Sequence, residues 1–349
     1  MTALDPAAHW ARWWQWVTVH WQQAVGWVAT ADPLLLLLFF AGGSWLMIWR
    51  LGALERKGLE GTALGTVIMP YASGFSNLMF AFILGRSGGD GILVLENCLV
   101  NNVTNLTLLI GLPAGISGLA VFPDRRANGA GAMVRRSHRL NHLSLQLTLV
   151  AVLFFTGTLW ALAGDGVLDF RDGLVLVGLF FFWQLFQLYD VLKQNVYRGR
   201  RLQWSMLADG ALVVMAGVVV YQAIDGLVAW LPRTGSGLLV FDNIGWLSGL
   251  LMVIPNALLA FYYASRLRAD IVYSSQVGDG HICIPMCIGL FALFSNIRMP
   301  AYFELGVAII MGAGILHLAL IGFWGRLPRL VGLLLTGAYG YFLFKGIIL

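Results

Sequence analysis

Leu95-Glu96-Asn97-Cys98-Leu99-Val100-Asn101-Asn102-Val103-Thr104-Asn105 runs straight into Leu106-Thr107-Leu108-Leu109-Ile110-Gly111. Four Asn and one Glu fall within ten residues of a stretch that is otherwise apolar enough for lipid. On a helix, positions four apart share a face, so Asn97, Asn101 and Asn105 form one polar stripe. Such a stripe cannot face hydrocarbon, where every polar group must find a partner. It predicts a membrane helix whose inner face lines a site.

The rest of the chain fits that setting. Hydrophobic residues make up 59% of the 349, charged residues 11%, and mean hydropathy is +0.77, whereas soluble domains carry roughly 25% charged residues. Apolar runs predict ten spans, at 33–50, 62–85, 91–122, 143–163, 171–189, 205–231, 238–264, 271–297, 301–323 and 327–348. Of the 22 basic residues, sixteen fall in the loops after the odd-numbered spans and six on the opposite side. Basic loops mark the cytoplasmic side, so the expected orientation leaves both termini outside the cytoplasm, in the inner or plasma membrane. The net charge of +5 therefore reads as a topology signal, with lipid and small cations as partners and no nucleic acid. The oligomeric state is not encoded in any pattern here.

Residues 9–30 place Trp10, Trp13, Trp14 and Trp21 among Gln15, Gln22 and Gln23, which predicts an interfacial amphipathic helix. The start lacks the basic, apolar and cleavage-site order of a secretory signal. The expected organisation is an N-terminal interfacial segment at 1–31, five helices over 32–195, a basic cytoplasmic linker at 196–204 and five helices over 205–349. An odd number of spans per half makes the halves inverted repeats. The fold class is thus all-α integral membrane.

Inverted repeats that carry ions leave matching breaks in corresponding helices. The second span reads Gly65 through Pro70 to Ser73-Gly74-Phe75-Ser76-Asn77, and the seventh reads Gly249 through Pro255-Asn256, so unwinding is expected around Pro70 and Pro255. The eighth span answers the third with Gln276-Val277-Gly278-Asp279-Gly280-His281-Ile282-Cys283, whose Gly-Asp-Gly also suggests an unwound stretch. His281 could pair with Asp279 as a proton-linked switch or simply bond a carbonyl at a helix end. The cysteines Cys98, Cys283 and Cys287 lack metal-ligand spacing and read as packing residues, as do His317, Trp183, Gln184 and Gln187.

These segments resemble the two α-repeats of the cation/calcium exchanger superfamily, in particular the sodium/calcium exchanger membrane region. That pattern has G-T-S-x-P-E on the second and seventh helices and G-N-x-x-G-S-N-x-F-N on the third and eighth. Leu95 to Asn105 follows the latter and keeps Asn97, Asn102 and Asn105 at its Asn positions. The resemblance implies ten helices, extracellular termini and a central cytoplasmic loop. It also implies a secondary active antiporter with alternating access around a midplane site. Asn77 and Asn256 stand where the pattern has its two ion-binding glutamates, Ser76 replaces the proline in the first repeat, and Asp279, Gly280 and Cys283 occupy the S-N-x-x-N positions in the second.

The implied ion ligands are Asn77 and Asn256, with Asn101, Asn102, Asn105 and Asp279 close by. Ser73, Ser76 and Glu96 are candidate additions, and Asn77, Asn256 and Asp279 would be the direct metal ligands. The cargo would be calcium or a monovalent cation, with sodium or protons as coupling ion. Asn supplies oxygen without charge, so weaker calcium binding is expected unless Glu96 and Asp279 substitute. The alternative is a degenerate exchanger fold that senses or assembles without transport. An enzyme is not expected, since no HExxH, GxSxG or paired intramembrane aspartates occur.

Overall fold

The computed structural model describes residues 31–56, 69–121, 132–195, 204–230, 244–266 and 268–348. The expected interfacial helix and the basic linker lie outside the described residues.

Among the described residues the chain forms ten helical rods. The first two are α1 (Pro33–Arg56) and α2 (Met69–Arg86). The third is α3 (Gly91–Val103), a π-helical segment (Thr104–Leu109) and α4 (Ile110–Ser117). The fourth to seventh are α5 (Ala132–Leu162), α6 (Phe170–Asn195), α7 (Trp204–Trp230) and α8 (Ile244–Ser265). The eighth is α9 (Ala269–His281), a second π segment (Ile282–Ile288) and α10 (Gly289–Ala292). The last two are α11 (Phe303–Trp324) and α12 (Arg329–Leu343), the latter continuing as a π turn over Phe344–Ile348. Six of the described helical stretches are long and apolar enough to cross a membrane by themselves.

Two features differ from the expectation. Residues 119–120 and 297–298, of which the hydropathy reading places 119–120 inside the third span and 297 at the end of the eighth, are two-residue strands. β1 (Leu119–Ala120) pairs with β4 (Arg326–Leu327), and β2 (Val167–Leu168) with β3 (Ile297–Arg298), both antiparallel. Leu119 and Ala120 are apolar enough to extend a helix, but Gly118 at φ +71° ends α4 and frees the backbone to pair.

The second difference concerns the breaks. Pro255 lies inside an unbroken α8, and Pro70 opens the described part of α2. Gly278, Asp279 and Gly280 are helical within α9. The irregular backbone sits instead one turn further on, in the π segments of the third and eighth rods. One reason is local to the sequence: Pro285, inside the second π segment, has no N–H to hold the α register.

The ribbons expose the symmetry. Exchanging each rod n for rod n + 5 carries the β1–β4 pair, which ties the end of the third rod to the turn before the tenth, onto the β3–β2 pair. Because β1 precedes the fourth rod and β2 follows it, the ribbons lie at opposite ends of the bundle. Glycine contacts obey the same exchange. A Cβ on Gly111 would lie 2.8 Å from the carbonyl oxygen of Gly332, and one on Gly173 would lie 2.8 Å from that of Gly289. Only bare Cα atoms allow rods three and ten, and rods five and eight, to approach this closely.

The core is centred on the third and eighth rods. Every residue of α3 except Ile92 is buried. The outer rods carry exposed apolar faces, such as Phe181, Phe182 and Leu185 on α6, as expected where the surrounding solvent is lipid. α1 and α7 pack through Gly43 against Val220 and Ala216, and are pinned by Arg50 Nη1 to Asp209 Oδ1 at 3.3 Å.

Candidate cation site

Asp279 anchors the site. Its side chain is fully buried, and Oδ2 accepts from Asn105 Nδ2 at 2.9 Å and from Asn256 Nδ2 at 3.0 Å. Three rods, the third, seventh and eighth, are thereby joined at one carboxylate oxygen. Asn105 Nδ2 also donates to Asn101 Oδ1 at 2.8 Å, which fixes the stripe along the third rod. At its other end Asn97 Nδ2 donates to Ser248 Oγ at 3.0 Å and lies 3.4 Å from Met252 Sδ. Asn97 to Asn105 spans eight residues, about 12 Å of helix.

The polar strip along α3 is matched on α8 by Ser248, Met252 and Asn256, each four residues from the next. The two helices approach closely because Gly245 and Gly249 face α3. A Cβ at Gly249 would fall 2.8 Å from Val100 Cβ. On the other side Gly280 takes the same role: its Cβ would sit 2.9 Å from Asn102 Oδ1.

Around this centre, amide oxygens outnumber their donors. Asn102 Oδ1, Asn105 Oδ1 and Gln276 Oε1 are buried without a hydrogen-bond partner, against one unbonded donor on the stripe, Asn101 Nδ2, and Asn97 Oδ1 is likewise unbonded at the far end. Asn77 is fully buried and neither of its amide atoms is bonded. It sits on α2 three residues past Gly74, whose Cα abuts the Ile282 side chain and so brings α2 onto the start of the second π segment. Ser76 is buried beside it, while the Ser73 side chain is outside the described set. Leaving a buried amide oxygen unmade costs about 1 to 3 kcal/mol, so a concentration of them makes this cluster the candidate site. Gln276, which also donates to the Asn256 carbonyl at 3.4 Å, was not among the sequence candidates. Its spacing three residues before Asp279 is the signal that could have found it.

Glu96 is held away from this centre. Its Oε1 accepts from the Tyr302 hydroxyl and its carboxylate packs against Gly245, in the first turn of α8. A helix N-terminus and a phenol together lower the cost of a buried acid. Nine residues separate Glu96 from Asn105, or about 13 Å along the helix.

His281 does not pair with Asp279. Trp183 Nε1 donates to His281 Nδ1 at 3.2 Å, so the proton is on Nε2, which bonds the Thr148 carbonyl at 3.0 Å. With both ring nitrogens engaged the imidazole is a neutral brace between rods four, five and eight, which removes the switch. His317 braces the first π segment in the same manner, bonding the Leu106 carbonyl at 2.8 Å and the Tyr273 hydroxyl at 2.9 Å. Cys98, Cys283 and Cys287 are buried free thiols within reach of one another.

Residues 33–189, the first five rods of this bundle, match the family model described as sodium/calcium exchanger protein. That match covers rather less than half of the chain, and it reports what these five rods are similar to. Its fold extends the likeness to nearly the whole length. The sodium-calcium exchanger NCX_Mj soaked with 10 mM Na+ and 10 mM Sr2+ superposes with a TM-score of 0.63 at 18% identity, covering 91% of this chain and 97% of that one. The same exchanger soaked with 100 mM Na+ and 10 mM Sr2+ gives 0.65 at 17% identity, over 91% and 98%. Soaked with zero Na+ and Ca2+, it gives 0.61 at 17%, over 91% and 97%. At such identities the likeness reports the fold. No curated protein sequence matches the chain. The buried amide cluster of this chain therefore sits in a fold like that of a sodium-calcium exchanger, with six apolar helices long enough to cross a membrane among the described residues.

Proposed function

We propose that this protein is a secondary active antiporter that exchanges small inorganic cations by alternating access around the Asp279 centre. The observation that carries it is the fully buried Asp279 carboxylate, joined to Asn105 and Asn256 from two other rods, amid amide oxygens that have no partner. A cation entering there would satisfy those oxygens and neutralise the carboxylate at once. Asn77, Asn101, Asn102, Asn105, Asn256 and Asp279 are the proposed ligand set, with Ser73 and Ser76 at its edge. The units that move against each other would be drawn from repeats at 32–195 and 205–349, joined by the cytoplasmic linker at 196–204, with both termini on the opposite side of the membrane.

Flux into proteoliposomes tests this directly. Wild type should take up cation against a gradient of counter-ion, and Asn77→Ala combined with Asn256→Ala should reduce that uptake to the level of empty vesicles. Equal uptake in both would overturn the assignment and favour a fold that no longer transports.

A further inference from the structure

The four rods that build the proposed site are short of negative charge. Between residues 61 and 86 the sequence has no acidic residue. Within α8 there is none either. The third rod has Glu96 alone, and the eighth has Asp270 and Asp279. Asp270 is exposed and bonded to Arg268 through both carboxylate oxygens, each at 3.1 Å. Glu96 is engaged by Tyr302, nine residues up the helix from Asn105, a separation of about 13 Å. Among the described residues a third buried acid, Asp209, belongs to the Arg50 pair between α1 and α7. Among the described residues one carboxylate, that of Asp279, remains at the centre.

We infer that the site is built for a single monovalent cation and does not take calcium, an inference that rests on the cation-exchange reading above. Divalent ions are held by several charged carboxylates, and affinity for calcium follows the count of ligand charges. Neutral carbonyl-type oxygens in number, by contrast, can replace the hydration shell of an alkali cation. Here Asp279 supplies one unit of negative charge, and Asn77, Asn102, Asn105 and Gln276 present unbonded neutral oxygens. A monovalent ion leaves this centre neutral. A divalent ion leaves one uncompensated positive charge in a site with no exposed surface, where solvent cannot screen it.

The hydrogen bonds also show what the ion must displace. Two amide N–H groups, from Asn105 and Asn256, converge on the same Asp279 oxygen. Rotation of the Asn105 amide about its last torsion releases its N–H bonds to Asp279 and Asn101, brings the unbonded Oδ1 in their place, and turns a donor to the carboxylate into a ligand for the ion. The amides thus substitute for the cation when it is absent and coordinate it when it is present.

Thermal unfolding of the purified protein in detergent, with chloride salts of lithium, sodium, potassium and calcium at ionic strength held constant by N-methylglucamine, tests the inference. At least one alkali cation should raise the midpoint saturably, calcium should not, and Asp279→Asn should abolish the shift by lowering affinity about 100-fold. Saturable stabilisation by calcium in the wild type, lost in Asp279→Asn, would overturn the monovalent assignment while leaving the exchanger site in place. No shift with any of the four salts would overturn both. Asn256→Asp adds a second carboxylate at the same centre and should confer a calcium shift. The wild-type salt series decides the matter even where that variant does not fold.

Discussion

In the third rod the groups facing the site are Asn97, Asn101, Asn102 and Asn105, all neutral and all able to offer oxygen. In the eighth rod, counted back from the first residue of its π segment, Asp279 occupies the place of Asn101, Gly280 that of Asn102, and Cys283 follows as the counterpart of Asn105. One half of the candidate site is therefore rich in amide oxygens and uncharged, and the other is poor in them and holds the charge. Gly280 shows why the two halves cannot be alike. Asn102 Oδ1 lies where a Cβ on residue 280 would come within 2.9 Å, so one rod fills the space that the other must vacate. The twofold plan fixes the backbone, and the side chains are complementary across it.

The largest effect expected from breaking this asymmetry is at Asp279. Asp279→Asn should lower the initial rate of cation uptake in vesicles by about 100-fold, whereas Asn101→Ala, at the equivalent place, should lower it by about tenfold, the loss of one hydrogen-bonded oxygen. Moving the charge sharpens the comparison. Asn101→Asp together with Asp279→Asn should recover much of the lost uptake if charge at the centre matters more than which rod supplies it.

A smaller effect separates the two glycine contacts. A Cβ on Gly332 would lie 2.5 Å from the Gly111 carbonyl and closer still to the Gly115 amide nitrogen, while one on Gly173 meets the Gly289 carbonyl at 2.8 Å and the Ala292 methyl at 3.0 Å. Overpacking a tight contact costs about 1 to 3 kcal/mol. Gly332→Ala should fall at the upper end and Gly173→Ala at the lower, measured as loss of the thermal midpoint in detergent.

Tyr302→Phe deprives Glu96 of its hydroxyl and should cost about 1 to 2 kcal/mol. It should leave the order of preference among cations unchanged, since Glu96 lies nine residues up the third rod from Asn105, the residue that bonds Asp279. A changed order would place Glu96 in the site after all. The smallest effect concerns the braces. His281→Phe removes the bonds to Trp183 and Thr148 and should lower stability modestly. The pH profile of uptake between about pH 5 and 8 should keep its shape, because a neutral imidazole with both nitrogens bonded does not exchange protons with the site.

Much of this was legible in the chain. The i, i+4 spacing of Asn97, Asn101 and Asn105 predicts a buried polar stripe, because helical period alone puts those residues on one face. Run length and the sixteen-to-six split of basic residues predict rods of alternating direction. What failed were predictions that depend on a partner from elsewhere in the chain. Pro255 and the Gly278-Asp279-Gly280 stretch look like helix breakers locally, but neighbouring rods hold them helical, and the irregular turns form beside them. Of the two readings of His281 the carbonyl bond is the one found, since His281 and Asp279 are two residues apart and on a helix such residues point to different faces. Glu96 and Asn97 are adjacent, and for the same reason one meets Tyr302 and the other Ser248.

By itself, then, the sequence determined which segments enter lipid, which faces are polar and how many charges each rod carries, since these follow from composition and period. Only the tertiary structure decided which charge is at the centre. A buried carboxylate is defined by what surrounds it, and Asn105, Asn256 and Tyr302 come from rods up to 206 residues distant. No spacing within a single segment can say which of them arrives.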